Sequence, residues 1–133
     1  MLTRVEAIKV TGCIPCLLEN LSDVYAENHH VVDGSYRNGP DVTYGNCAWH
    51  HRGIPWPGLQ QEGMETLLGP SLRLSSKRYK ARYGSELDLL QTQDFLLVLF
   101  DREPWADYAM PRAVAKRVRE FWKIVRKRSE CTI

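Results

Sequence analysis

The sequence has few histidines and cysteines, and both types are missing from most of its length. Each occurs only four times among 133 residues. No histidine follows His51, and Cys131 is the one cysteine beyond Cys47. Imidazoles and thiolates are the side chains that borderline transition metals prefer. A site for such a metal is therefore expected in the first 51 residues.

The sequence also lacks the long apolar segments that membrane insertion and secretion require. The longest apolar run covers only residues 95–100, far short of a membrane span, and residues 1–6 do not resemble a signal peptide. There is no internal repeat and no low-complexity segment. We expect a single cytoplasmic domain, 1–133, without a membrane partner. Its oligomeric state is not indicated by the sequence.

Charge is distributed unevenly along the chain. The net charge is only +2, but residues 111–128 hold eight basic side chains and one acidic one, a local charge of +7. The rest of the chain carries −5. A basic helix on an acidic body is compatible with polyanion binding and equally with a solvated helix face.

The cysteines and histidines are grouped in a way that favours metal binding. Cys13-x-x-Cys16 and Cys47-x-x-His50 are two short pairs whose side chains together suit a tetrahedral structural Zn²⁺. His29, His30 and His51 remain, which is more than one tetrahedral ion can use. The surplus suggests a second metal ion with a catalytic function.

A redox role for Cys13-Ile14-Pro15-Cys16 is the alternative interpretation. Thioredoxin-like motifs follow a strand and open a helix within a βαβ unit. Here a helix is predicted before the motif, and no βαβ pattern surrounds it. Metal binding is therefore favoured.

Periodicity and turn signals predict a β-hairpin followed by a helix within about 30 residues, flanked by helices. Strands are expected at 29–32 and 42–44, a loop at 35–40, a turn at Gly45-Asn46 and a helical turn at 47–51. Ser75 and Ser85 are expected to cap helices. The other helices are predicted at 3–11, at 62–68 and from Pro111 onward.

Several motifs resemble one nuclease family. A hairpin followed by a helix with a metal-ligand histidine resembles the HNH, or ββα-metal, pattern. The order of the motifs resembles the phage recombination-enhancement, RecA-dependent nucleases over about residues 5–98. The motifs are Cys13-x-x-Cys16, His29-His30-Val31, Arg37-Asn38-Gly39, the segment 43–53, Gly69-Pro70-Ser71-Leu72 and the segment 79–86.

The resemblance implies an α+β fold with a zinc-stabilised HNH core at about 12–55 and a helical extension at about 75–128. It also implies a phage or prophage enzyme that cleaves DNA in the bacterial cytoplasm, with a RecA-type filament as a possible partner. His30 would be the general base. His29 and His51 would bind a catalytic Mg²⁺ or Mn²⁺. Thr43 would orient the base, with Asn46 as the less favoured alternative for that role.

Basic side chains near the cluster and on the last helix are the candidates for DNA contacts. They are Arg37, Arg52, Lys116, Arg119, Lys123 and Arg126. Two other functions remain open. One is a zinc-stabilised nucleic-acid-binding module without catalysis, and the other is an adaptor for a recombination protein.

Overall fold

The computed structural model describes residues 2–33, 36–37, 42–105 and 109–131, which form an α+β fold. The helices are α1 (Arg4–Thr11), α2 (Ile14–Leu18), α3 (Ala48–Arg52), α4 (Gln61–Leu68), α5 (Ser76–Tyr83), α6 (Glu86–Arg102) and α7 (Arg112–Cys131). The strands are β1 (Glu27–His30), β2 (Val32–Asp33), β3 (Tyr36–Arg37) and β4 (Thr43–Asn46). Within these ranges, no helix is long and apolar enough to cross a membrane.

The predicted hairpin is confirmed and is longer than expected. Strands β1 and β4 are antiparallel, and their register sets His29 opposite Tyr44 and His30 opposite Thr43. Strands β2 and β3 pair beyond them, so Tyr36 and the residue after it are in a strand where the sequence predicted loop. Helix α3 follows β4 directly, which places the second Cys/His pair beside the hairpin.

The predicted turn at Gly45-Asn46 is wrong, because both residues belong to β4. A Cβ atom on Gly45 would lie 2.4 Å from the carbonyl oxygen of Gly12. Glycine is needed here for a close approach of two backbones, which is a common reason for glycine inside a strand. The sequence correctly marked Gly45 as a position with a special backbone requirement, but that requirement is a close backbone contact and not a turn.

Helix starts follow the sequence signals in most cases. Ser85 accepts a hydrogen bond from the Asp88 amide, and the Asp88 carboxylate accepts one from the Ser85 amide. This capping box fixes the first turn of α6. Ser75 precedes α5 as predicted, but its side chain makes no capping hydrogen bond.

Two groups of buried side chains support the hairpin. The larger group surrounds α6 and includes Tyr44, Leu89 and Val118. The smaller group lies beside the Cys/His pairs and includes Trp49 and Met64. Burial of these side chains holds α1, α2, α3 and α4 around the hairpin and the Cys/His pairs, where the candidate sites are located.

Candidate metal centres

The two Cys/His pairs converge on one point at the starts of two helices. Cys13 precedes α2 and Cys47 precedes α3, and each sulfur accepts the backbone N–H of the residue three positions later. That residue is Cys16 in the first pair and His50 in the second, so each pair lies on a single turn. All four residues are buried.

The geometry of this Cys₃His cluster fits a tetrahedral metal ion. The four ligand atoms lie within 4.8 Å of one another. The sulfurs of Cys16 and Cys47 are 3.7 Å apart, close to the ~3.8 Å that Zn–S bonds of about 2.3 Å produce in a tetrahedron. His50 Nδ1 lies 3.5, 3.4 and 3.2 Å from the sulfurs of Cys13, Cys16 and Cys47. The cluster could therefore hold a structural metal such as zinc.

The other ring nitrogen of His50 is held by a carbonyl. Nε2 lies 2.7 Å from the Leu68 carbonyl oxygen and 3.1 Å from the Tyr83 hydroxyl. An N–H at Nε2 leaves the lone pair on Nδ1, facing the three sulfurs. Such an outer hydrogen bond is the usual way that a protein orients a histidine ligand.

The thiols of the cluster influence one another. Burial raises the pKa of Cys13, whereas hydrogen bonds from the thiols of Cys13 and Cys16 lower the pKa of Cys47. A coordinated metal would deprotonate all three sulfurs.

A second cluster lies on the hairpin face that carries His29. The rings of His29 and His51 meet edge to face, with centroids 4.8 Å apart. His29 Nε2 lies 2.6 Å from Glu86 Oε1, and His51 Nδ1 lies 2.9 Å from Glu27 Oε1. Each imidazole thus has one ring nitrogen paired with a carboxylate. The Tyr44 ring packs against His29 at 4.9 Å.

Glu27 also binds Arg52, the residue next to His51. The Arg52 guanidinium donates through Nε to Glu27 Oε1 at 3.0 Å and through its Nη2 to Oε2 at 2.5 Å. Burial tends to raise the pKa of Glu27, but the hydrogen bonds from Arg52 and His51 outweigh it, so the pKa is lowered. The carboxylate is ionised at neutral pH and is shared by both side chains.

His30 lies on the other face of β1, because successive side chains in a strand alternate. Its cross-strand neighbour Thr43 is buried. The Thr43 hydroxyl donates to Asn28 Oδ1 at 3.4 Å and accepts from Arg4 Nε at 3.3 Å. Two of the three surplus histidines therefore meet at one place, and His30 and Thr43 share the opposite face.

The candidate DNA-contact residues occupy different settings. Lys116 and Lys123 are exposed on α7, and Arg119 is half-buried. Arg126 donates to the carbonyl oxygens of Arg82 and Ala81. The side chain of Arg37 lies outside the described part of the structure.

Sequence analysis missed both carboxylates of the second cluster. Glu27 stands two positions before His29 in the same strand, so the period of two could have indicated a shared face. Glu86 lies 57 residues after His29 along the chain. No local pattern connects them, although Glu86 ends the motif 79–86 that carries part of the resemblance.

Comparison with known protein families gives a match. The model of the family described as "Recombination enhancement, RecA-dependent nuclease" matches residues 2–98, about three quarters of the chain. Neither curated proteins nor solved structures give a match. The matched segment contains both clusters and ends within α6.

Proposed function

The chain belongs to the recombination enhancement, RecA-dependent nuclease family, and on this basis we propose that it is a metal-dependent DNA endonuclease. The reaction is hydrolysis of phosphodiester bonds in recombination or DNA processing. One observation carries the proposal: the imidazoles of His29 and His51 touch, and each has a carboxylate on one ring nitrogen. A carboxylate on the outer nitrogen is typical of histidines that bind a metal.

The proposed architecture is an HNH, or ββα-metal, core. The hairpin of β1 and β4 and the following α3 supply its three elements. The Cys₃His cluster is its structural zinc site. A zinc ion held by Cys13, Cys16, Cys47 and His50 would join α2 to α3 and thereby fix the helix that bears His51, so its role would be in folding.

His29 and His51 are the proposed ligands of a divalent ion. The available donors are one ring nitrogen of each imidazole, since the other is paired with a carboxylate, and imidazole suits borderline transition metals better than Mg²⁺, which favours Mn²⁺ of the two ions. When bound, such an ion stabilises negative charge on the leaving oxygen of the phosphodiester. Glu86 and Glu27 hold the two rings in place.

His30 is the proposed general base. In this proposal its imidazole takes a proton from the water that attacks phosphorus. His30 is the last residue of β1, so that water would approach past the end of the strand and not from the His29 face. Thr43 lies opposite His30 in the register and is anchored by Asn28 and Arg4, so it is suited to orienting the histidine.

DNA is proposed to lie along the cluster and the basic face of α7. Arg52 is exposed and directly follows His51, so it is the proposed contact for the phosphate being cleaved, and the phosphate would replace the Glu27 carboxylate as the partner of its guanidinium. More distant phosphates are assigned to Arg37, Lys116, Arg119 and Lys123. Arg126 is left out of this set because its guanidinium is bound to the end of α5.

The proposal is tested by plasmid nicking in Mg²⁺ or Mn²⁺, with and without a RecA filament. His30→Ala is expected to lower the nicking rate by about 10²–10⁴-fold, the usual contribution of a general base. The matched control is Tyr25→Ala, which truncates an exposed ring just before β1. Normal cleavage by His30→Ala would refute the assigned base.

The same experiment separates the enzyme from a zinc-stabilised nucleic-acid-binding module. A protein that binds DNA but shows no metal-dependent nicking under either condition would support the module. Metal-dependent nicking by the isolated protein would also exclude a purely adaptor role.

A further inference from the structure

Helix α7 lies beyond the segment matched by the family. Its side chains nevertheless hydrogen-bond to the connection between α5 and α6, which carries one residue in contact with each of the two clusters. We propose that Trp122 and Arg126 are positioning residues, which set the corner between α5 and α6 (residues 81–86) and through it the side chains of Tyr83 and Glu86. The nuclease part of this inference rests on the proposed function. The zinc part does not.

The end of α5 is closed by side chains from α7. Arg126 donates to the carbonyl oxygens of Arg82 at 2.7 Å and Ala81 at 2.9 Å. Trp122 Nε1 donates to the Tyr83 carbonyl at 2.8 Å. The last carbonyls of a helix have no partner within it, so α7 supplies the hydrogen bonds that α5 lacks.

The two α7 side chains also support each other. The Arg126 guanidinium lies over the Trp122 ring, 5.2 Å from its centroid. This contact holds the guanidinium in one direction, toward the carbonyls. Arg126 is half-buried, whereas the adjacent Lys127 is exposed.

The start of α6 is held from the same helix. The Ser129 hydroxyl donates to Asp88 Oδ1 at 2.5 Å, while Asp88 Oδ2 accepts the Ser85 amide at 3.0 Å. The capping box of α6 is therefore tied to α7. Both sides of the corner are fixed by one helix.

The corner carries two side chains that each contact a histidine of one cluster, on the ring nitrogen proposed to face away from the metal. The Tyr83 hydroxyl donates to Glu19 at 2.7 Å and lies 3.1 Å from Nε2 of the zinc-cluster histidine His50. Three residues later, Glu86 binds Nε2 of His29. A rotation of the corner would move both partners together, so loss of the α7 contacts should weaken both sites.

The test compares Arg126→Ala and Trp122→Phe with Lys127→Ala in the zinc-loaded full-length protein. Lys127→Ala removes the same charge as Arg126→Ala one residue away. Trp122→Phe keeps the aromatic body and removes only the indole N–H. The first measurement is the rate at which zinc passes to a colorimetric chelator, and the second is the Mn²⁺ concentration that gives half-maximal plasmid nicking.

Both positioning variants are expected to release zinc about tenfold faster and to need about tenfold more Mn²⁺, the lower end of the usual effect of outer-sphere changes. Lys127→Ala should match the wild type in both.

Equal zinc release by all four proteins would overturn the proposal. So would an Arg126→Ala nicking defect that lower salt abolishes with no change in the Mn²⁺ midpoint, since that result indicates a phosphate contact. If the wild type does not nick DNA, the proposed function fails, and zinc release alone decides this inference.

Discussion

At the scale of single residues, His50 shows how one side chain joins a metal cluster to its surroundings. Its Nδ1 faces three sulfurs and its Nε2 faces the Leu68 carbonyl. The orientation depends on both contacts, because either ring nitrogen can carry the proton. A metal ion bound by this cluster would therefore depend on residues that do not touch it.

Removing one sulfur ligand should remove the metal. Purified wild-type protein is expected to contain about one zinc per chain, and Cys13→Ala should lose it and unfold, since metal binding and folding are coupled at such sites. Elemental analysis and circular dichroism measure the two effects. Cys131→Ala removes a thiol that is not one of the four proposed ligands and should keep its zinc. A folded, zinc-free Cys13→Ala protein would contradict the structural role.

Glu19 should stabilise the fold in a pH-dependent way. Burial tends to raise its pKa, but hydrogen bonds from Arg82 and Tyr83 outweigh it and lower the pKa below the usual 4.5. A lowered carboxyl pKa contributes stability that is present above pH 4.5 and disappears as the pH falls through the folded-state value.

Glu19→Gln should therefore lower the free energy of unfolding at pH 7 by about 1.5–3 kcal/mol, the range for hydrogen bonds to charged groups. The difference from wild type should shrink below about pH 4.5. Urea unfolding from pH 7 to pH 4, with zinc content measured at each pH, tests this. A difference that stays constant across the range would show that the charge of Glu19 is not responsible.

At the scale of elements, α6 connects the hairpin with the C-terminal helix. Its first residue, Glu86, binds His29 on β1, and its middle residue Gln93 accepts the backbone N–H of Gly45 on β4. The hairpin is thus attached to α6 at both strands. Helix α6, which is not part of the hairpin or α3, therefore positions the hairpin face that carries His29.

Loss of the Glu86 carboxylate should weaken the proposed ion site without loss of the fold. Glu86→Gln is expected to raise the Mn²⁺ concentration for half-maximal nicking by about 10–100-fold, the usual effect of an outer carboxylate. Glu103→Gln, at the exposed opposite end of α6, is the control. Equal Mn²⁺ requirements in the two variants would argue against a role for Glu86 in the site.

At the scale of the whole molecule, the charge asymmetry should control DNA binding. Residues 111–128 carry +7, and the exposed basic side chains of α7 face away from the packed side of the helix. Cations that neutralise phosphates release counterions, so binding weakens with salt in proportion to their number.

Lys123→Ala should weaken binding to all DNA sequences and reduce the slope of log K against log salt by about 1. Fluorescence anisotropy with a labelled duplex at several salt concentrations measures the slope. Lys9→Ala, at an exposed position of α1, should leave it unchanged. An unchanged slope for Lys123→Ala would place the DNA elsewhere on the surface.

The sequence alone indicated most of the helices, the hairpin and the Cys₃His cluster, since these depend on short-range spacing. Each Cys-x-x-Cys or Cys-x-x-His pair occupies one turn, and Ser85 marks the start of α6 by its own side chain. The resemblance based on motifs up to residue 98 is confirmed by the family match. Local patterns are sufficient for such features, because the residues that interact are close along the chain.

Only the tertiary structure decided which side chains surround His29 and what α7 does. Glu86 reaches His29 across 57 positions, and Arg126 meets Arg82 across 44. A contact between distant positions depends on how helices pack, which no local period encodes. For the same reason, the local sequence predicts a turn at Gly45, whereas packing sets this glycine against the Gly12 carbonyl. The sequence supplied the reactive groups, and packing selected their partners.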